Sequence, residues 1–151
     1  MNIYRKTISS PIGPLTLECS EMAVTALRFG SAGETDRHYL LEDAATQLRE
    51  YFAGERREFD LPLSPVGTAF QKNVWKALLN IPHGQTASYG EIAARIGNPK
   101  ASRAVGMANN RNPLPIFIPG HRVVGAKGQL TGYAGGLDTK EYLLKLESGS
   151  L

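Results

Sequence analysis

Apolar positions recur along the chain at two different periods. Leu15, Leu17 and Cys19 alternate with Thr16 and Glu18, the two-residue period of a half-buried strand with one polar face. Residues 3–9 before it and 24–29 after it read as two more strands, and Ser10-Pro11-Ile12-Gly13-Pro14 is dense turn chemistry between the first pair. Gly30 closes the third strand, and 31–37 is a polar loop. The period then lengthens. Ala44, Leu48, Tyr51 and Phe52 lie on one stripe of a helix over 38–53, which Gly54 stops. Residues 59–63 read as extended, and Ser64-Pro65-Val66-Gly67 as a linker.

The second half has a helical rhythm. Thr68 and Gln71 fit a capping box for a helix to about Ile81 that buries Phe70, Val74, Trp75 and Leu78, and Pro82-His83-Gly84 breaks it. Ser88 and Glu91 form a second box for a short helix through Ile96, stopped at Gly97. After the Asn98-Pro99 turn a third helix runs over 100–110, so the two form a helix-turn-helix pattern. Ile116-Phe117-Ile118 predicts a buried strand ended by Pro119. Gly125-Ala126-Lys127-Gly128-Gln129 predicts a hairpin turn, the wing that often follows such a helix pair, and Asp138 with Glu141 predicts the cap of a last helix ending near Glu147. The expected fold class is α+β: a small sheet-plus-helix domain over 1–64, then a winged helix-turn-helix domain over 65–151.

Composition narrows the function classes. The 151 residues are 42% hydrophobic and 21% charged, as in an ordinary globular protein. A net charge of +3 permits a polyanionic partner without requiring one. No apolar run approaches the roughly 20 residues that span a bilayer, and the first residues lack the apolar core of a signal peptide. The expectation is therefore a cytoplasmic protein with no membrane partner. Cys19, the one cysteine, precludes an internal disulfide and reads as a buried structural thiol. His38, His83 and His121 share no metal-ligand spacing, so neither metal nor cofactor is expected.

Candidate chemistry gathers in the second half. Ala101, Ala104, Gly106 and Ala108 make the third helix too short-sided for major-groove readout. They suit either close approach to a minor groove or close packing on another helix. Arg103 stands among them as either a solvated arginine or a duplex contact, with Lys100, Arg111 and Arg122 as further cations nearby. Asn112 precedes Pro113, which biases its backbone to an extended form. Past the apolar run come Gly120, His121 and Arg122, delivered at a strand end where sites are usually built.

Pro119-Gly120-His121-Arg122-Val123 resembles the Pro-Cys-His-Arg-Val signature of the O6-alkylguanine-DNA alkyltransferases (methylated-DNA–protein-cysteine methyltransferases), with Gly120 at the cysteine position. Arg103-Ala104-Val105-Gly106, Ser88-Tyr89, Asn112-Pro113-Leu114-Pro115 and Tyr133-Ala134-Gly135-Gly136 are similar to other motifs of that family. The likeness runs through most of 68–147 and more loosely over the first domain, which it makes ribonuclease-H-like. These proteins move an alkyl group from guanine O6 onto the cysteine, irreversibly, one per molecule. The resemblance implies a monomer, in the cytoplasm or on the nucleoid, that binds duplex DNA containing O6-alkylguanine through the minor groove and flips the damaged base.

The same resemblance assigns roles. Arg103 would replace the flipped base in the stack, and Tyr89 would crowd the phosphate of that nucleotide and contact the base. Ala104, Arg111 and Arg122 would complete the DNA contact. Asn112 would be a hinge under the signature strand. His121 and Glu147, through a bridging water, would take the proton of the acceptor thiol. Val123, Tyr133, Gly135 and Gly136 would line the alkylguanine pocket. With Gly120 there is no thiol to activate, so the expectation is recognition without repair. Retention of every other motif favours an engineered replacement of the nucleophile; the alternative is a natural alkyltransferase-like protein that marks lesions. Two other classes stay open: a winged-helix regulator, and a hydrolase or transferase working through His121 and Glu147.

Overall fold

The computed structural model describes residues 2–33 and 35–151, and the chain divides into two compact units, Met1–Val66 and Gly67–Leu151. In the first, β1 (Tyr4–Ile8), β2 (Leu15–Cys19) and β3 (Val24–Phe29) form an antiparallel sheet in that order, and α1 (Tyr39–Phe52) follows. Register pairs Leu17 with Lys6 on one side and Leu27 on the other, with an irregularity at Glu18 and Cys19. Leu15, Leu17 and Cys19 are fully buried, with Leu41, Ala44 and Leu48 of α1 in the same core.

The alternation along β2 does not give it a wet face. Thr16 and Glu18 are also buried, at 1% and 7% exposure. As the central strand, β2 has neighbours whose long side chains close over its polar side. Arg5 Nε and Arg28 Nε reach Glu18 Oε2 at 2.8 and 3.1 Å, and Thr16 Oγ1 donates to the Gly30 carbonyl. Burial alone would raise the Glu18 carboxyl, and the two arginines bring it below its ordinary value. The extended stretch expected over 59–63 contributes a single bridge, Val24 to Leu63, held by Val24 N–H on the Pro62 carbonyl and Ser64 N–H on the Val24 carbonyl.

The second unit holds α2 (Ala69–Leu78), β4 (Ala87–Ser88), α3 (Tyr89–Arg95), α4 (Ser102–Asn110), a 3-10 turn (Gly120–Arg122), β5 (Val123–Val124) and α5 (Leu137–Ser148). Both capping boxes form: Thr68 with Gln71 opens α2, and Ser88 with Glu91 opens α3. Gly97, at φ +80°, turns the chain out of α3. Val74, Trp75 and Leu78 of α2 pack with Ile92 and Ala93 of α3 and Val105 and Ala108 of α4. Trp75 Nε1–H donates to the Ala108 carbonyl at 2.9 Å in this core.

Three sequence expectations are corrected here. Ile116 to Ile118 is buried but is a compact turn, not a strand. Pro113 and Pro115 deny the backbone donors a ladder needs, Ile118 N–H bonds the Leu114 carbonyl, and Ile116 sits at φ +76°. The turn over 125–129 closes, with Gly125 N–H on the Gln129 carbonyl, yet no strand follows it among the described residues. Instead β5 pairs in parallel with β4, Ala87 opposite Val123. Finally, Asp138 and Glu141 do not cap α5. Gly136 at φ +91° is its N-cap, Asp138 lies in the first turn facing the helix dipole, and Glu141 pairs with Lys145 one turn on.

The Trp75 bond ties α2 to α4, so Trp75→Phe, which deletes that donor and leaves a small void, should cost roughly 2 kcal/mol. Urea unfolding should show it as a lower midpoint with an unchanged slope.

Candidate functional site

The turn that ends at Pro119 sets the position of the signature. Asn112 Nδ2 donates to the Ile118 carbonyl at 2.8 Å, and its Oδ1 accepts from Leu114 N–H, so one side chain pins both ends of the turn. A β-branched residue at positive φ, such as Ile116, is held only where its surroundings over-determine it. Gly120 opens the 3-10 turn and is buried, with its carbonyl accepting from Asn109 Nδ2 at 3.2 Å. A Cβ on Gly120 would lie 2.7 Å from Asn109 Oδ1 and 3.3 Å from Asn112 Nδ2. The amide of Asn109 therefore stands where a side chain at 120 would begin.

Next in sequence, His121 and Arg122 point into the interior toward α5. His121 Nε2 lies 2.7 Å from Glu147 Oε2, and both groups are buried. Arg122 grips the same carboxylate twice, Nε to Oε1 at 2.7 Å and Nη2 to Oε2 at 2.9 Å, and gives Nη1 to the Ile81 carbonyl at 2.6 Å. Burial alone would raise the Glu147 carboxyl, but the hydrogen bonds from His121 and Arg122 hold it well below the usual carboxylate range. Burial likewise lowers the His121 pKa, against the pull of Glu147, so its imidazole is neutral. An ionised carboxylate only accepts, hence Nε2 carries the proton and Nδ1 presents a lone pair with no partner among the described residues. That is the tautomer a general base needs.

Arg122 was expected at the DNA surface, and the structure corrects this. Its guanidinium is spent on Glu147 and Ile81, and the residue is 6% exposed. The cationic surface lies instead on α4. Arg103, Ala104, Met107, Asn110 and Arg111 face outward at helical spacing, while Val105, Ala108 and Asn109 face the core. Between Gly67 and Pro115 six lysines and arginines stand against one acid, Glu91. Tyr89, half-buried at the start of α3, lays its ring near Gly106, where an added Cβ would be 3.6 Å from it. Small residues on α4 thus serve both an open face and a close ring contact.

The Tyr133-Ala134-Gly135-Gly136 stretch is a turn, closed by Gly136 N–H on the Tyr133 carbonyl. Tyr133 has a buried hydroxyl, whose pKa is raised by burial and then by the Glu147 charge. Val123 is fully buried, so its side chain belongs to the core. Two residues that sequence reasoning passed over belong to the site. Asn109 abuts Gly120, and Lys140, with no exposure, donates from Nζ to the Val123 and Thr131 carbonyls. Burial brings the Lys140 pKa down to about 8. The available signal was spacing: Lys140, Leu143 and Glu147 form an i, i+3, i+7 stripe, and α5 buries all three. Cys19 is buried in β2, with its thiol pKa raised by burial. Among the described residues no group of three His, Cys, Asp or Glu side chains could hold a metal ion.

A carboxyl whose folded pKa lies below its unfolded one stabilises the fold fully above the unfolded value and loses that contribution as pH falls. For Glu147 the ordinary value is 4.5. Glu147→Gln should therefore be about 3 kcal/mol less stable than the parent at pH 7. That gap should narrow steadily as the pH of thermal melts is lowered from 5 toward 3; a constant gap would mean the carboxylate is not held low.

Both units of the chain match known proteins. The family described as 6-O-methylguanine DNA methyltransferase, ribonuclease-like domain, matches residues 3–65, and its DNA binding domain matches 69–149. A methylated-DNA–protein-cysteine methyltransferase of Methanosarcina acetivorans is 52% identical over 153 residues, covering 96% of this chain and 98% of that protein. One of Mycobacterium bovis is 53% identical over 152 residues, covering 96% and 92%. The crystal structure of Mycobacterium tuberculosis OGT in complex with DNA superposes with a TM-score of 0.90 at 51% identity, over 97% of this chain and 93% of that one. Matched in both halves and along nearly its whole length, the chain belongs to the 6-O-methylguanine DNA methyltransferase family.

Proposed function

We propose that this protein binds duplex DNA through the outward face of α4, takes an O6-alkylguanine out of the stack, and leaves the alkyl group in place. The observation that carries this reading is Gly120, which supplies no nucleophile beside a base that is otherwise assembled, His121 on Glu147. Alkyl transfer needs an attacking atom roughly 3–3.5 Å from the alkyl carbon, and a water there is a poorer nucleophile than thiolate. Arg103 is the residue to fill the vacated stack, since it is exposed on α4. Extruding a base costs a few kcal/mol, which an inserted cation partly offsets. A sequence-reading regulator is disfavoured because the exposed face of α4 offers Ala104 and Met107 between its arginines.

Incubation with a duplex carrying one O6-methylguanine should leave the intact mass of the protein unchanged. Gly120→Cys should gain one methyl per molecule, mapped to residue 120 and never to Cys19, once the Asn109 amide turns aside to admit the Cβ. Adding His121→Ala should remove most of that gain. Methyl loss from DNA with the glycine form, or an unmodified cysteine, would overturn the assignment.

Binding should be salt-dependent, the logarithm of the association constant falling at about −0.9 per phosphate neutralised against log salt. Arg111→Ala should reduce that slope by about one, whereas Arg122→Ala should lower the melting temperature sharply. Titrations at four salt concentrations, with melts of each variant, distinguish the exposed arginine from the buried one.

A further inference from the structure

The hydroxyl of Tyr89 meets Thr131 Oγ1, 42 residues downstream. Thr131 is not a free-standing partner. Its carbonyl accepts from Lys140 Nζ at 3.2 Å, and the same amine donates to the Val123 carbonyl, just past the 3-10 turn. A lysine with no exposure thus ties the loop before Tyr133 to the signature segment. The β-branch of threonine restricts χ1, so a fixed backbone gives Oγ1 a fixed position. At its other side the Tyr89 ring lies against Gly106 of α4. The ring is therefore held along its Cδ1–Cε1 side and at its hydroxyl.

Both hydroxyls can donate and accept, and either can be the donor in this pair. With Thr131 Oγ1–H donating to Tyr89 Oη, the phenolic proton is left for a third oxygen, and the incoming bond strengthens it as a donor. We propose that Thr131 is a positioning residue, which aims the Tyr89 hydroxyl at a backbone phosphate of the nucleotide leaving the duplex. The inference rests on the reading under Proposed function and deepens it by naming what sets the tyrosine.

The test compares Thr131→Val, which keeps shape and loses the hydroxyl, with Thr131→Ser, which keeps the hydroxyl. Each is made alone and with Tyr89→Phe. Affinity is measured for a duplex with one O6-methylguanine and for the same duplex unmodified, with 2-aminopurine beside the lesion reporting extrusion and melts reporting the fold. Thr131→Val should bind the lesion duplex roughly fivefold more weakly, the worth of one hydrogen bond, and dim the 2-aminopurine signal. Its affinity for unmodified duplex should be unchanged, Thr131→Ser should restore the loss, and Tyr89→Phe should mask it. Equal losses in the valine and serine forms, a full additional loss on top of Tyr89→Phe, or no loss at all overturns the role of Thr131. If the unsubstituted protein binds both duplexes alike, the reading under Proposed function falls as well; if it prefers the lesion and Thr131→Val shares that preference, this inference alone falls.

Discussion

One buried carboxylate organises the second unit. Glu147 accepts from His121 and twice from Arg122, and Arg122 passes its remaining reach to the Ile81 carbonyl. Interior ion pairs need good geometry and further hydrogen bonds to offset their desolvation, and here those bonds join the segment just after α2, the 3-10 turn and the last helix. The same bonds that hold these pieces together also choose the tautomer of His121. One set of contacts fixes both the packing and the tautomer, so this arrangement of His121, Arg122 and Glu147 is present whenever the unit is folded.

The proposed function separates two properties that a catalytic cysteine would combine: recognition, assigned there to the exposed side of α4 and to Tyr89, and transfer, which would need a nucleophile at position 120. Gly120 brings none. Its neighbour Asn109, with its amide close to the missing Cβ, has no counterpart in the sequence logic of the signature, which concerns only residues adjacent along the chain.

Much of the architecture was legible because it is local. Both capping boxes are side chain to backbone bonds across three residues, and the composition of 68–71 and 88–91 announces them. What escaped is set by partners far along the chain. Thr16 and Glu18 alternate as a wet face should, but arginines on both neighbouring strands roof them over. Arg122 looks like a phosphate contact until a carboxylate 25 residues away claims it. Ile116 to Ile118 has strand composition, and only the proline spacing around it speaks for a turn. Lys140 reads as a surface lysine because nothing in the chain nearby reveals two carbonyls waiting for it.

The backbone of Ile116 has a bearing on how Gly120 is kept in place. A branched residue at φ +76° holds something like 1–3 kcal/mol that its neighbours must contain. Containment comes from packing and from the two bonds of Asn112, not from Ile116 itself. A substitution or heating that loosens this packing would let the segment ahead of Gly120 relax out of that conformation. The placement of Gly120 is thus kept by the buried side chains around it, Leu114, Phe117 and Ile118 among them, and not by the local preference of the chain.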